Sequence, residues 1–279
     1  MINRIIHYCW FGGNPLPGEM QLFIDDWGKK LIGYKFKLWS EENFDISRAP
    51  IFVQEAYRHK KYAFVADYVR LYALYTEGGI YLDTDIHVVK NFDPFLNDGF
   101  FSSIEYHQDM VDNLNIVKES LDGNYNRNSN VAHVKGIGIQ SAMFGAEKGH
   151  PFMKDCMEYY ENIHFIQSDG SFYDKIILPD VLALCAEKYG FRYVKGKQIL
   201  KNNIVIYPQY FFAGKKNATE DSVAIHCAHN SWRETTFLQR LFNVFATNSF
   251  MVDIKTRLVK YRVVSLIYNW IKTSIWLKK

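Results

Sequence analysis

The chain predicts an α/β fold: a mostly parallel sheet flanked by helices, with a helical extension at the C-terminus. Three observations carry this. Short apolar runs alternate with stretches of helical spacing in the order β-α-β-α-β, the pattern of a parallel sheet covered by helices. Glycine pairs punctuate the runs at Gly12-Gly13 and Gly78-Gly79. The 279 residues are 48% hydrophobic and 16% aromatic, enough for a sizeable core and unlike a disordered composition.

Taken in order, IIHYCWF (5–11) is an apolar run that stops at Gly12-Gly13 and a Pro15/Pro17 loop, and reads as a first buried strand. Residues 19–31 place Met20, Phe23, Ile24, Trp27 and Leu31 at helical spacing. YKFKLW (34–39) is a second strand. Residues 52–77 read as one long helix stopped by Gly78-Gly79, and IYL (80–82) as a third strand. GFFSSIE (99–105) is a strand, and the polar, Asn- and Asp-rich stretch 106–136 is a long loop. GIQSAMFGAE (138–147) reads as a single strand. PFMKDCMEYYENI (151–163) and PDVLALCAEKYG (179–190) are helices, and NIVIYP (203–208) and SVAIHC (222–227) are late strands. The domain division expected is a catalytic domain over 1–235 and a basic amphipathic helical segment over 236–279.

The formal net charge of +3 hides an asymmetry. Residues 254–279 carry seven Lys or Arg and no acidic residue, so the preceding body sums to −4, which argues against a nucleic-acid partner. The four cysteines are scattered with no C-x-x-C pair, so neither a zinc knuckle nor a disulfide framework is implied. MINRIIHYCWFGG lacks the long apolar region and small-residue cleavage site of a secretory signal. The compartment expected is the cytoplasm, with peripheral contact at the inner face of the membrane.

The chemistry concentrates in GGIYLDTDIHVV (78–89). Ligands of open parallel sheets bind at the carboxyl ends of strands, which is where Asp83 and Asp85 fall. On an extended strand they face one way, and two adjacent carboxylates repel unless a cation lies between them. Mg²⁺ or Mn²⁺ supplies that cation and keeps positions open for substrate phosphates. The D-x-D pattern alone also occurs in solvated strand ends; the preceding strand and the Gly-Gly helix stop favour the metal. Upstream, Asp67 and Arg70 share a helix face. They are either a structural salt bridge or a pair that holds sugar hydroxyls beside the metal.

Together IIHYCWFGG (5–13), KKYAFVADYVRLYALYTEGGIYLDTDI (60–86), SAMFGAEKGHPFM (141–153) and IHCAHNSW (225–232) resemble glycosyltransferase family 32, the D-x-D sugar transferases of the capsular-polysaccharide type, and more distantly the glucosylating domains of clostridial toxins. The resemblance spans roughly residues 1–235. It implies a GT-A, Rossmann-like fold, a nucleotide-sugar donor, a divalent metal and retention of anomeric configuration. Trp10 matches the aromatic that stacks on the nucleotide base, while His7 is a packed structural histidine. Asp67 and Arg70 match the pair on the donor-sugar hydroxyls. Asp83 and Asp85 match the metal motif, with Asp85 the direct ligand, and Tyr81 matches the aromatic before it, a core position as well. His226 matches a metal-completing histidine, and Ser231 with Trp232 match the S-W end that covers the diphosphate. The departures are Cys227 where a second histidine is common, an extra His229, Ala66 before Asp67, and Leu178-Pro179 where T-G-P is frequent. His226 is preferred over His229 as the ligand.

The function expected is a metal-dependent (Mn²⁺ or Mg²⁺) retaining hexosyltransferase. It takes a UDP-sugar, or alternatively a GDP-sugar, to a glycan or lipid-linked acceptor hydroxyl in surface polysaccharide synthesis. Glu105 and Gln140, near strand ends, are partners for the donor sugar or acceptor. The alternatives are an aspartyl-phosphate phosphohydrolase, which places its D-x-D on the first strand, and a non-catalytic carbohydrate module binding Ca²⁺. The longest uncharged run of the basic tail, VVSLIYNWI (263–271), is too short to span a bilayer. The tail either lies on an anionic membrane or packs on the main domain or a second subunit, a homo-oligomer.

Overall fold

The computed structural model describes residues 1–173 and 176–228. In chain order the elements are β1 (Ile5–Cys9), α1 (Gly18–Lys30), β2 (Lys35–Trp39), α2 (Ile51–Arg58), α3 (Tyr62–Glu77), β3 (Gly79–Leu82), β4 (Ile86–Val88), β5 (Phe100–Tyr106), α4 (Gln108–Asn113) and α5 (Ile116–Ser120). They continue with β6 (Ile137–Ile139), β7 (Met143–Ala146), α6 (Pro151–Glu161), α7 (Leu178–Ala186), β8 (Gln198–Leu200), β9 (Ile204–Tyr207), β10 (Phe212–Gly214) and β11 (Ala224–His226).

The fold is mixed α/β. The main sheet has eight strands in the order β2-β1-β3-β7-β5-β9-β8, with β6 paired to β5. Strands β1, β2, β3, β5 and β9 point one way, and β6, β7 and β8 run against them. The carboxyl ends of β1, β3 and β5 therefore share one edge, and Trp10, Asp83 and the Glu105 region arrive there together. Side chains alternate across the sheet. Tyr81, Phe100 and Phe144 join the core under α2, α3, α6 and α7, whereas Ile80, Leu82, Phe101 and Met143 join the core around Trp27 of α1.

Three expectations are corrected. The helix over 52–77 is two helices, broken at His59–Lys61, where Lys60 takes a left-handed φ of 58° and the Lys61 N–H turns back to the Ala56 carbonyl. No glycine or proline marks the break. The loop over 106–136 contains α4 and α5 and a β-bridge between Leu121 and Arg127, with Val111, Ile116 and Leu121 buried. The strand over 138–147 is two strands, β6 and β7, separated at Gln140–Ala142; β6 pairs with β5 alone, and β7 runs between β3 and β5.

Gly78 and Gly79 do more than stop a helix. Gly78 caps α3 at φ 67°, its N–H on the Leu74 carbonyl. Gly79, at φ 117°, passes so close to β1 that a Cβ there would lie 2.6 Å from the Ile5 carbonyl oxygen. Beside it His7 is fully buried, accepting from Trp39 Nε1 at Nδ1 and donating from Nε2 to the Gly78 carbonyl. It is the packed structural histidine expected. Among the described residues no helix is long and apolar enough to cross a membrane. Ser231, Trp232, His229 and the basic segment 254–279 lie outside the described residues.

Candidate active site

The acidic pair does not lie on an extended strand. Residues 83–86 form a tight turn between β3 and β4, closed by the Ile86 N–H on the Asp83 carbonyl at 3.2 Å. The expected same-face argument is replaced by this turn, which brings Asp83 and Asp85 to a common point. The third partner comes from the end of the described chain. Strands β10, β11 and β4 form a second small sheet, and the antiparallel register sets His226 opposite Ile86. The Cys227 N–H extends that ladder to the Asp85 carbonyl at 3.1 Å. As a result His226 Nε2 lies 3.3 Å from Asp85 Oδ1.

Asp83, Asp85 and His226 each offer one ligand atom, and these atoms lie within 4.8 Å of one another. Two carboxylates and an imidazole are a suitable donor set for a divalent cation such as Mn²⁺ or Mg²⁺. Asp85 is the more enclosed carboxylate, at 8% exposure. His226 is shifted above its ordinary value. Burial pulls it down, but the hydrogen bond to Asp85 and the charges of Asp83, Asp85 and Glu105 outweigh that. Negative potential collects here, which favours any cation.

Behind the turn, Arg70 is buried at 6% exposure. Nε donates to the Ala66 carbonyl at 3.1 Å and Nη1 to the Ser141 carbonyl at 2.7 Å. The guanidinium lies 3.3 Å from Asp67 Oδ1 and 3.4 Å from Asp83 Oδ1, and stacks 4.5 Å above the Tyr81 ring. Tyr81 in turn donates its hydroxyl to Asp83 Oδ1 at 2.7 Å. Tyr81 is thus a core aromatic whose polar tip fixes a metal-motif carboxylate. Arg70 is a buried cation that bridges Asp67 to Asp83. Asp67 has its carboxyl pushed up to about 6, by burial first and the Asp83 charge besides, against the pull of Arg70.

Trp10 follows β1 at the same sheet edge, half-buried, with Nε1 donating to the Asn14 carbonyl at 2.7 Å. Glu105, the penultimate residue of β5, accepts from His107 Nε2 at 2.8 Å, and its charge is felt at His226. Gln140 is buried, its side-chain oxygen accepting from the Ala142 N–H at 2.9 Å, so it braces the crossing between β6 and β7. That crossing is what sequence reasoning missed. The Ala142 carbonyl accepts from the Asp83 N–H at 2.8 Å, and the Ser141 carbonyl holds Arg70. Both contacts are made by backbone, so no side-chain identity signals them. Cys9 was also missed. It is buried within reach of Arg70, Asp83 and Asp67, and its thiol is pushed up to about 12, chiefly by burial.

Residues 17–101 match the family model described as a glycosyltransferase sugar-binding region containing a DXD motif. The matched stretch contains Asp67, Arg70, Tyr81, Asp83 and Asp85; Trp10 precedes it and His226 follows it. An uncharacterized glycosyltransferase of Acanthamoeba polyphaga mimivirus is 34% identical over 110 residues, which is 36% of this chain and 42% of that protein. The chain thus spans less than half the length of this curated relative. Among solved structures, the PaToxG glycosyltransferase aligns over 67% of this chain and 69% of its own, at 16% identity and a TM-score of 0.42. The galactosyltransferase LgtC, in complex with donor and acceptor sugar analogs, aligns over 86% and 94%, at 12% identity and a TM-score of 0.43. A glycosyltransferase involved in glycosylation of the major capsid of PBCV-1 aligns over 80% and 93%, at 12% identity and a TM-score of 0.40.

Proposed function

We propose that the chain is a metal-dependent, retaining glycosyltransferase of the GT-A type, in keeping with the family 32 resemblance. It would move a hexose from a nucleotide-diphosphate sugar, UDP-linked by preference, to a hydroxyl of a glycan or lipid-linked acceptor in surface polysaccharide synthesis. The observation that carries this reading is the convergence of Asp83, Asp85 and His226 within 4.8 Å, two of them inside a matched DXD sugar-binding region.

Asp83, Asp85 and His226 would hold the cation. Once bound, it would supply Lewis-acid neutralisation of the charge that develops on the leaving diphosphate. The chain's own residues do the remaining work in this reading. Arg70 and Tyr81 keep Asp83 oriented. Asp67, beside them, accepts from a hydroxyl of the donor sugar. Trp10 offers its indole face to the nucleotide base. Glu105, held by His107 near the end of β5, would be a partner for the donor sugar or the incoming acceptor. Ser231 and Trp232 would cover the diphosphate. No residue is assigned as a covalent nucleophile.

The basic segment 254–279 is proposed to bring the enzyme to an anionic membrane surface on the cytoplasmic side, where a lipid-linked acceptor would be found. The donor is named by a thermal-shift screen of nucleotide sugars with Mn²⁺, since a ligand of the native state raises its stability. One nucleotide sugar should stand above the rest, and only with the metal present. Equal shifts with and without Mn²⁺ contradict the reading.

A further inference from the structure

The turn after β2 grips the turn after β1 in two places. Phe44 packs edge-on against Phe11, with ring centroids 6.4 Å apart. Glu41 Oε1 accepts from the Gly12 N–H at 2.6 Å and from the Tyr57 hydroxyl at 2.9 Å. The turn that carries Glu41 is itself closed, by the Ser40 N–H on Asn43 Oδ1 at 3.0 Å and by Asn43 Nδ2 on the Leu38 carbonyl at 2.7 Å. On the other side, Gly12 takes a φ of 101° and lies so close to the Tyr62 ring that a Cβ there would collide with it. The Tyr62 and Tyr57 rings meet edge to face at 5.6 Å, so the two sides of this clamp support each other. Gly12 is thus seated between an aromatic ring and a carboxylate.

Trp10 belongs to the same loop. Its backbone N–H continues the β1–β2 ladder to the Trp39 carbonyl at 2.9 Å, and its indole N–H donates to the Asn14 carbonyl at 2.7 Å. The path of Gly12 and Gly13 decides where that carbonyl stands, and the carbonyl decides how the indole is turned. Two successive glycines leave such a path wide conformational freedom, so the loop needs an anchor from outside itself. We infer that Glu41 is a positioning residue for the donor nucleotide: its carboxylate, through the Gly12 N–H, holds the loop between β1 and α1 so that the Trp10 indole is turned ready for the base. This rests on the reading of Trp10 as the face on which the base stacks. Glu41 acts through the loop and not on the ligand. A face fixed before binding spares the complex the cost of ordering it. The benefit therefore goes to ligands that carry a base, while a bare diphosphate depends on the acidic turn and gains nothing from the loop. The bond from the Gly12 N–H is charge-assisted, and a side-chain amide at the same place would accept it in weaker form. Glu41 is exposed, so shortening it opens no cavity in the core.

The test is calorimetric titration of the full chain, with Mn²⁺ present, against UDP, GDP and inorganic pyrophosphate, which has no base. The wild type should bind one of the two nucleotides more tightly than pyrophosphate. Glu41→Ala should bind that nucleotide about 10-fold more weakly, the size of one charge-assisted hydrogen bond, and should bind pyrophosphate as the wild type does. Glu41→Gln should recover most of the nucleotide affinity. Unchanged nucleotide affinity in Glu41→Ala overturns the inference. So does an equal loss for pyrophosphate, which would make Glu41 a general support of the fold, and so does a Glu41→Gln protein as weak as Glu41→Ala. A wild type that binds both nucleotides no better than pyrophosphate overturns the stacking role of Trp10 itself, and the inference with it.

Discussion

Arg70 is the residue on which the local order depends. It is a buried cation shared by Asp67 and Asp83, and removing it would leave both carboxylates without their countercharge, which is costly. Tyr81→Phe is the gentler probe, because it keeps the ring under Arg70 and deletes only the hydrogen bond to Asp83 Oδ1. Losing a group that orients a metal ligand typically costs about 10–100-fold in metal affinity or activity. Tyr81→Phe should therefore weaken Mn²⁺ binding by about that factor with the fold intact, as read by calorimetric titration; unchanged affinity would show that Asp83 needs no such support. Asp67 makes a pH prediction. Its carboxyl is raised in the folded protein to about 6, so its contribution to stability is full below the unfolded value near 3.8 and is lost as pH rises through about 6. In metal-free protein, Asp67→Asn should thus be more stable to urea than wild type above pH ~6, by on the order of 1–3 kcal/mol, with the difference shrinking toward pH ~4. A pH-independent difference would remove burial of the charge as the cause.

Among the elements, β3 and its glycines decide where the acidic turn arrives. Gly79 combines φ 117° with a carbonyl that would sit 2.6 Å from a Cβ, and the obstacle is backbone that has no rotamer to change. Gly79→Ala should lower stability by about 1–3 kcal/mol, measured by urea denaturation, and a neutral result would mean that β1 and β3 separate more easily than their pairing suggests. The legibility of the sequence follows the same physics. The Gly-Gly stop and the apolar IYL run are local signals and appear where the sequence places them; the D-x-D pattern is local too, but it sits in the turn after β3 and not on an extended strand. The break at His59–Lys61 has no local signal, because Lys60 is an ordinary residue that tertiary packing holds in a left-handed conformation. Polar composition hid α4 and α5, since short helices with one buried stripe need few apolar residues. The β6–β7 crossing was invisible because its task, receiving Arg70 and the Asp83 N–H, falls to backbone carbonyls. The His226 motif was legible, but its seat beside Asp85 depends on the β4–β11 register, a pairing between distant segments.

The described residues form two apolar cores on either side of the eight-stranded sheet, with Trp10, Asp83 and the Glu105 region at one sheet edge. The proposed cation site spans the chain, from the turn after β3 to the end of β11, so binding there should stabilise the folded protein as a unit. The basic segment 254–279 carries its own prediction. Flotation with anionic liposomes should recover the full chain and fail for a chain lacking 250–279, while equal recovery removes the membrane reading. The most direct test of the proposed activity is turnover of nucleotide sugars by the full chain with Mn²⁺, compared with the same chain in EDTA and with Asp85→Ala. The expected result is donor turnover that requires Mn²⁺ and is abolished by Asp85→Ala. Turnover that persists undiminished in EDTA or in the Asp85→Ala protein would contradict it.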